Sequence, residues 1–316
     1  MDVITIGESM VLFTPDSTGP MRYANQFSMK FGGAESNVAI GLTRLGHKSG
    51  WISKVGNDEF GKGMVSFING EGVDVSQVSV DSEAPTGIYF KEPRRANDTR
   101  VYYYRKGSAA SRLSKDDLNP DYFQHAKYLH ITGITPALSE TAREAVFEAI
   151  KLAKQHNVPI VFDPNLRTKL WSEEEARKTL LAIAREADIV LPGIAEGKFI
   201  FGESDPARLG ELFLNQGASV VILKDGARGA YYFTAEQNGR VPGFPVEQVV
   251  DPVGAGDGFA AGFLSGLLDG LDLSKAVERA NAVGALVTMV SGDVEGLPDK
   301  EEIEAFMNQT NEDVIR

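Results

Sequence analysis

Short, continuously apolar runs alternate with amphipathic stretches along most of this chain. Val3–Ile6, Trp51–Val55, Tyr128–Thr132, Val158–Phe162, Asp188–Leu191 and Ser219–Leu223 read as strands. Several are apolar at nearly every position, which suits strands covered on both faces of a parallel sheet. Between them the period becomes helical. Glu140–His156 places Ala142, Ala145, Val146, Ala149, Ile150 and Ala153 on one face. Ser172 and Glu175 have the spacing of a capping box at the start of the next helix. Pro206–Gln216 and Ser274–Ser291 follow the same logic. Strand and helix in alternation predict an α/β fold, with a doubly wound, mostly parallel central sheet and helices on both faces.

Two stretches break this rhythm. Met10–Phe31 and Pro85–Lys106 lack a helical period and are rich in aromatic and β-branched residues, among them Tyr23, Phe27, Phe90 and Tyr102. They read as antiparallel strands outside the main sheet. Residues 10–31 and 85–106 would then form a small β lid, and residues 1–9, 32–84 and 107–316 the main domain. The polar tail Asn308–Arg316 is expected to fray.

Composition narrows the functional classes. A chain of 316 residues that is 42% hydrophobic can bury a large core. Its longest apolar runs, such as Val220–Leu223, are too short to span a membrane. No basic segment precedes a long apolar stretch at the N-terminus, which predicts no signal peptide. The absence of cysteine excludes disulfides, thiolate chemistry and Cys-ligated zinc, and points to the cytoplasm. The formal charge of −12 argues against nucleic acid as a partner, but leaves room for a small anion held by a few local donors. His125 and His130 fall in or beside strand patterns and read as structural.

The strongest chemical signal is Asp251-Pro252-Val253-Gly254-Ala255-Gly256-Asp257-Gly258-Phe259, which runs into an apolar helix. Gly254 and Gly256 leave backbone N–H groups unobstructed at a helix start, where donors and dipole together make an anion site. Phosphoryl transfer spreads negative charge over oxygens that such donors can hold. Asp257, on the same turn, is placed to accept the proton of an attacking hydroxyl. Taken alone, these residues also describe a capped, glycine-started helix. Near the N-terminus, Gly32-Gly33 lets backbone approach a ligand closely just before a helix, and Asn37 on that helix can bond a hydroxyl. Gly56–Lys62 has the spacing of a P-loop, but Gly63 stands where the Mg²⁺-binding Ser or Thr belongs, so it is not read as one.

Gly32–Ala39 running on to Leu45-Gly46, then Lys54–Gly61, and finally Asp251–Phe259 resemble the two signatures of the ribokinase-like (PfkB) carbohydrate kinases. The resemblance extends from near residue 1 to near residue 300. It implies transfer of phosphate from ATP, with Mg²⁺, to a sugar hydroxyl. Asp257 would be the general base, and Gly254, Ala255 and Gly256 would hold the transferring phosphate. It further implies that the loop carrying Lys224, Gly226, Ala227 and Gly229 passes the nucleotide, and that Asn281 and Gly284 flank the adenine. Gly193-Ile194-Ala195-Glu196 departs from the Asn-x-x-Glu of many relatives. Glu196 is expected to organise Mg²⁺ through water, while residue 193 has no side chain to offer.

The substrate is read from fewer residues. Glu8 follows the first strand, where neutral-sugar relatives often carry Asp. Arg105 at the end of the second lid stretch and Arg167 after the Val158–Phe162 strand are placed to grip a carboxylate. From spacing alone, each equally suits a surface ion pair. Thr86–Tyr89, Tyr103–Ala109, Gly133–Leu138 and Gly292–Pro298 are similar to the sugar-acid branch of the family. That likeness implies phosphorylation of 2-keto-3-deoxygluconate at O6. Gly33, Tyr89, Tyr103, Arg105, Arg167 and Asp293 would contact the acid, with Asn165 and Gly193 toward the nucleotide. A kinase for a neutral sugar, one for the galactonate epimer, and a non-catalytic sensor stay open as alternatives. Lids of this family often pair, which implies a homo-oligomer.

Overall fold

The computed structural model describes residues 1–95 and 98–312, with side chains to residue 308. In chain order its strands are β1 (Val3–Ile6), β2 (Met10–Pro15), β3 (Phe27–Gly32), β4 (Ser49–Gly56), β5 (Val78–Asp81), β6 (Ile88–Arg95), β7 (Asp98–Tyr104), β8 (Tyr128–Thr132), β9 (Ile160–Asp163), β10 (Ile189–Val190), β11 (Val220–Lys224), β12 (Ala230–Phe233) and β13 (Asn238–Val241). Nine of them form one sheet in the order β13-β12-β11-β10-β9-β8-β1-β4-β5. It is parallel from β5 to β11, and β12 and β13 extend it as an antiparallel edge.

The continuously apolar runs are explained by helices on both sides. Ile4 and Ile6 of β1, Ile160 and Phe162 of β9, and Val221 and Leu223 of β11 pack with the helices Glu140–Gln155, Glu173–Ala184 and Pro206–Leu214. The intervening Val3, Val161 and Ile222 pack the other way, with Ala34–Arg44, Ala255–Leu268 and Leu273–Thr288. His130 is sealed inside this layer without a hydrogen-bond partner, and burial lowers its pKa to about 4, so it is neutral and structural. No helix among the described residues is long and apolar enough to cross a membrane.

Element ends differ from the pattern for local reasons. Val158 belongs to the turn closing the preceding helix, its N–H bonded to Ala153 O at 2.8 Å, so β9 starts later than its apolar run. Ser172 accepts from Glu175 N at 3.3 Å, but Arg143 draws the Glu175 carboxylate away at 3.1 Å, so only half of the capping box forms. The helix Lys300–Glu312 takes in much of the tail expected to fray, and the rest lies outside the described residues. So do residues 96 and 97 of the second lid stretch.

The two aromatic stretches form one separate sheet, β3-β2-β6-β7. It consists of two antiparallel hairpins whose inner strands, β2 and β6, run parallel. Phe13 meets Phe60, and Phe31 meets Phe67, at ring-centroid distances of 5.8 and 5.3 Å, which fixes this sheet to the helix Glu59–Gly70. Its opposite face carries Met10, Leu12, Tyr89 and Val101.

The helix Ala255–Leu268 is held closely against Leu273–Thr288 by a stripe of small residues. Gly258, Gly262 and Gly266 recur every fourth position and face Val283, Ala280 and Ala276. A Cβ on Gly262 would lie 3.0 Å from Ala280 Cα and 3.1 Å from Arg279 O, and backbone cannot yield as a side chain does. Gly262→Leu is expected to cost about 1–3 kcal/mol or more by overpacking, read as a lower urea midpoint; an unchanged midpoint would refute the close approach.

Candidate active site

The carboxyl ends of β1, β8, β9 and β11 converge on one cleft of about 350 Å³. Strand order reverses at β1, with β4 on one side and β8 on the other, and crevices in doubly wound sheets open at such points. The small sheet roofs the cleft. Because side chains alternate along a strand, Tyr89 and Lys91 of β6, with Val101 and Tyr103 of β7 and Arg105 just beyond it, all look inward.

The floor is the first turn of the helix Ala255–Leu268. Gly254 caps it at φ 83°, a conformation that favours glycine, and Asp293 O lies 2.7 Å from where a Cβ would stand. Ala255 N makes a long 3.4 Å bond to Pro252 O, while the N–H groups of Gly256 and Asp257 open the helix and have no carbonyl a turn earlier within it. The Asp257 carboxylate accepts from Asn37 Nδ2 at 2.8 Å. Burial raises its pKa from 3.8 to about 7. Asn37 and the nearby Arg167 pull it down, and Asp163 and Asp293 push it up.

Gly33, Tyr89, Tyr103, Arg105, Arg167 and Asp293 all line this cleft beside Asp257. They are not equally free. Arg105 is buried, donating through Nε to Glu8 Oε2 at 2.6 Å, and it stacks on Tyr103 with its guanidinium carbon 5.6 Å from the ring centre. Glu8 is also bonded by the Ser108 hydroxyl at 2.5 Å. Asp293 accepts from Tyr89 Oη at 2.6 Å and from Lys91 Nζ at 2.5 Å. Arg167 is exposed, and its bond to Leu166 O is long, at 3.4 Å. A Cβ on Gly33 would collide with Glu8 O, so only glycine lets the chain pass here.

At the far end of the cleft, Lys224 pairs with Asp163 at 2.5 Å. Burial works against its charge, but Asp163 and Glu196 outweigh burial and raise its pKa. Glu196 accepts from Gly193 N and Leu166 N, both at 2.8 Å, while burial and then Asp163 push its pKa up. Its carboxylate thus grips the backbone at residue 193. Asn165, at φ 36°, bonds Asp163 through its N–H at 3.1 Å. Gly226, Ala227 and Gly229 form a turn beyond Lys224 that packs on the Val241–Gly243 segment. Asn281 steadies that segment, donating to Val241 O and Pro242 O at 3.3 and 3.1 Å. Gly284 leaves room for Ala255 O, which would lie 3.2 Å from a Cβ there. Asn165, Glu196 and Lys224 line the cleft, whereas Gly193, Gly226, Ala227, Gly229, Asn281 and Gly284 lie outside its lining.

Residues 1–300 match the pfkB family carbohydrate kinase. The chain belongs to that family. This carbohydrate kinase is 44% identical to 2-dehydro-3-deoxygluconokinase of Bacillus subtilis over 310 residues, covering 98% of this chain and 96% of that one. It is 36% identical to 2-dehydro-3-deoxygluconokinase of Thermoproteus tenax, covering 97% and 94%. An E. coli protein described as a ribokinase II, solved with ATP and Mg²⁺, superposes with a TM-score of 0.91 at 32% identity, covering 98% and 99%. The ribokinase-like α/β fold and phosphotransfer to a sugar hydroxyl therefore hold for this kinase.

Sequence reasoning passed over Lys91, Glu35 and the pairing roles of Glu8 and Asp163. Lys91 was findable, because it lies two residues after Tyr89 on the same strand face. Glu35 lines the cleft fully buried, with Thr132 and Thr135 hydroxyls at 2.5 and 2.9 Å, and burial raises its pKa.

The raised pKa of Asp257 links to stability with a definite sign. The folded chain retains a proton that the unfolded chain releases, so stability falls as pH rises from about 4 to about 7. Asp257→Asn keeps an acceptor for Asn37 and removes the buried charge. It is expected to raise the melting temperature above pH 7, by up to about 4 kcal/mol of stability, with the gain vanishing below pH 4. Equal melting temperatures at pH 8 would contradict a desolvated carboxylate.

Proposed function

We propose that the kinase transfers the γ-phosphate of ATP to O6 of 2-keto-3-deoxygluconate, giving 2-keto-3-deoxy-6-phosphogluconate and ADP. The observation that carries this reading is the juxtaposition of Arg105 and Arg167 with a half-buried carboxylate of raised pKa, Asp257, at a helix start with open N–H donors. The two 2-dehydro-3-deoxygluconokinase relatives support the same sugar acid under its alternative name. The acid lies between small sheet and large sheet. Its carboxylate meets Arg105 and Arg167, and Gly33, Tyr89, Tyr103 and Asp293 border the rest. Asp257 takes the O6 proton as that oxygen attacks the γ-phosphorus, and the bond to the β-phosphate oxygen breaks with its electron pair leaving on ADP. The N–H groups of Ala255, Gly256 and Asp257 hold the charge on the transferring group. Closure of the small sheet as a lid keeps water from the γ-phosphate.

ATP extends along Asn165, Gly193, Lys224, Gly226, Ala227, Gly229 and the glycine turn toward Asn281 and Gly284. Mg²⁺ fits as part of the nucleotide complex. Among the described residues no group of three or more His, Cys, Asp or Glu is gathered to hold an ion alone, and Glu196, already gripping two N–H groups, would reach one through water. Such an ion neutralises phosphate charge. A cytoplasmic location suits the substrates.

Coupled ADP release with 2-keto-3-deoxygluconate, its galactonate epimer, fructose and ribose tests the reading. Strong preference for a sugar acid is expected, and preference for a neutral sugar would overturn the carboxylate clamp. In the same assay Asp257→Asn should lower kcat by about two to four orders of magnitude, and the wild type should lose activity as pH falls below about 7, where the base protonates. Arg167→Ala should raise the KM of the acid about tenfold or more. Arg167 is the cleaner clamp variant, because truncating Arg105 strands the buried Glu8.

The small sheet also supports a homo-oligomer. Phe27 and Met29 on edge strand β3, with Tyr102 and Tyr104 on edge strand β7, expose apolar surface on the two edge strands. Sedimentation should give a multiple of 34.2 kDa; a monomer at micromolar concentration would remove this assignment.

A further inference from the structure

We infer that Lys91 is a positioning residue that ties the small sheet to the phosphoryl-transfer turn. This deepens the reading of Gly254–Asp257 as the transfer site and rests on it.

Lys91 sits on β6, in the roof, yet both of its carboxylate partners belong to the floor. Its ammonium lies 2.5 Å from Asp293 Oδ1 and 3.1 Å from Asp251 Oδ2. Lysine is rarely buried unless paired, and this one is 5% exposed. Burial alone would favour loss of its proton, but Asp293 and Asp251 outweigh burial and raise its pKa. Each partner leads directly to the glycine turn. The other oxygen of Asp251 accepts from Val253 N at 3.1 Å, one residue before Gly254. Asp293 presses its carbonyl oxygen into the space a Cβ on Gly254 would need. The backbone of Asp251 is anchored to Thr288 O, at the end of the helix Leu273–Thr288, at 3.2 Å. The turn is therefore held from behind by that helix and from above by the roof, where the Lys91 ammonium reaches both Asp251 and Asp293 and the Tyr89 hydroxyl bonds Asp293 as well.

Two consequences follow from this geometry. When the roof is seated, Lys91 fixes Asp251 and Asp293, and they fix the N–H donors beside Asp257. When the roof lifts, the ammonium leaves, the buried Asp293 and the half-buried Asp251 lose their counter-charge, and the turn relaxes. Phosphoryl transfer is thereby confined to the closed cleft, where the acceptor is the sugar rather than water.

The experiment measures ADP and sugar phosphate together for wild type, Lys91→Met, Lys91→Arg, Asp251→Asn and the Lys91→Met/Asp251→Asn double variant. Lys91→Met is expected to lower kcat tenfold or more, with the KM of the acid changing less than threefold. Its ratio of ADP to sugar phosphate should rise above the value of one expected for wild type. Lys91→Arg should retain most of kcat. Asp251→Asn can still accept from Val253 N but loses its ion pair with Lys91, while the Lys91–Asp293 pair remains. It should show the same losses as Lys91→Met in smaller measure, and the double variant should be no worse than Lys91→Met alone. A kcat for Lys91→Met within twofold of wild type, or losses that multiply in the double variant, would overturn the coupling. If Lys91→Met does not fold, Asp251→Asn decides: wild-type kcat and coupling in that variant would equally overturn it. Failure of the underlying reading is separable, since it would appear as wild-type turnover in Asp257→Asn.

Discussion

The governing constraint is the placement of negative charge. A chain of formal charge −12 brings carboxylates together in a cleft where phosphate must also enter. The structure resolves this pair by pair. Asp163 has Lys224, Glu8 has Arg105, Asp293 and Asp251 share Lys91, and Glu196 is held by two backbone N–H groups. Asp257 is treated differently. Its described contact is the neutral amide of Asn37, and Arg167 acts on it only as a nearby charge. Asp257, Glu196 and Glu35 line the cleft without a contacting cation, and burial raises the pKa of each. Asp257, raised to about 7, would as a base both bind a proton and release it readily.

That arrangement depends on backbone geometry more than on side chains. The helix carrying Asp257 approaches its neighbour through Gly258, Gly262 and Gly266, and its entry requires Gly254 at positive φ beneath Asp293 O. Small residues here shorten distances, so one turn of backbone reaches the cleft while the rest of the helix is sealed into the core. The same residues that look like weak helix formers in the sequence are the condition for an anion site at this depth.

Much of this was legible in the sequence because it follows from period and position. Apolar runs at nearly every residue gave the buried parallel strands, since alternate residues such as Ile160 and Val161 face different helix layers. The Gly-Ala-Gly-Asp turn could be read because it stands with Gly32–Ala39 and Lys54–Gly61 in the order that the family's two signatures have; alone, glycine and aspartate at a helix start describe any capped helix. Tyr89, Tyr103 and Arg105 fall on one face of the small sheet, as alternation requires. What stayed hidden was the matching of charges. Lys91 and Asp251 are 160 residues apart, and Lys91 and Asp293 are 202 apart. Nothing local tells a lysine in a strand whether it will meet solvent or two aspartates. The Gly193–Glu196 spacing, by contrast, is that of a capping-box glutamate, and Glu196 does turn back to bind the backbone of residue 193.

The pairing also separates the two arginines that looked alike in the sequence. Arg105 is locked by Glu8 and Tyr103, so its position is set before any ligand arrives and part of its charge is already answered. Arg167 is exposed and held by one long bond, so its charge is available but its position is not fixed. A carboxylate entering between them would meet one rigid donor and one adaptable one. The rigid donor contributes geometry at little entropic cost, and the adaptable one contributes most of the unanswered charge. On the proposed reading, discrimination between a sugar acid and a neutral sugar would therefore fall mainly on Arg167, and alignment of the hydroxyl with Asp257 mainly on Arg105 and the roof that carries it.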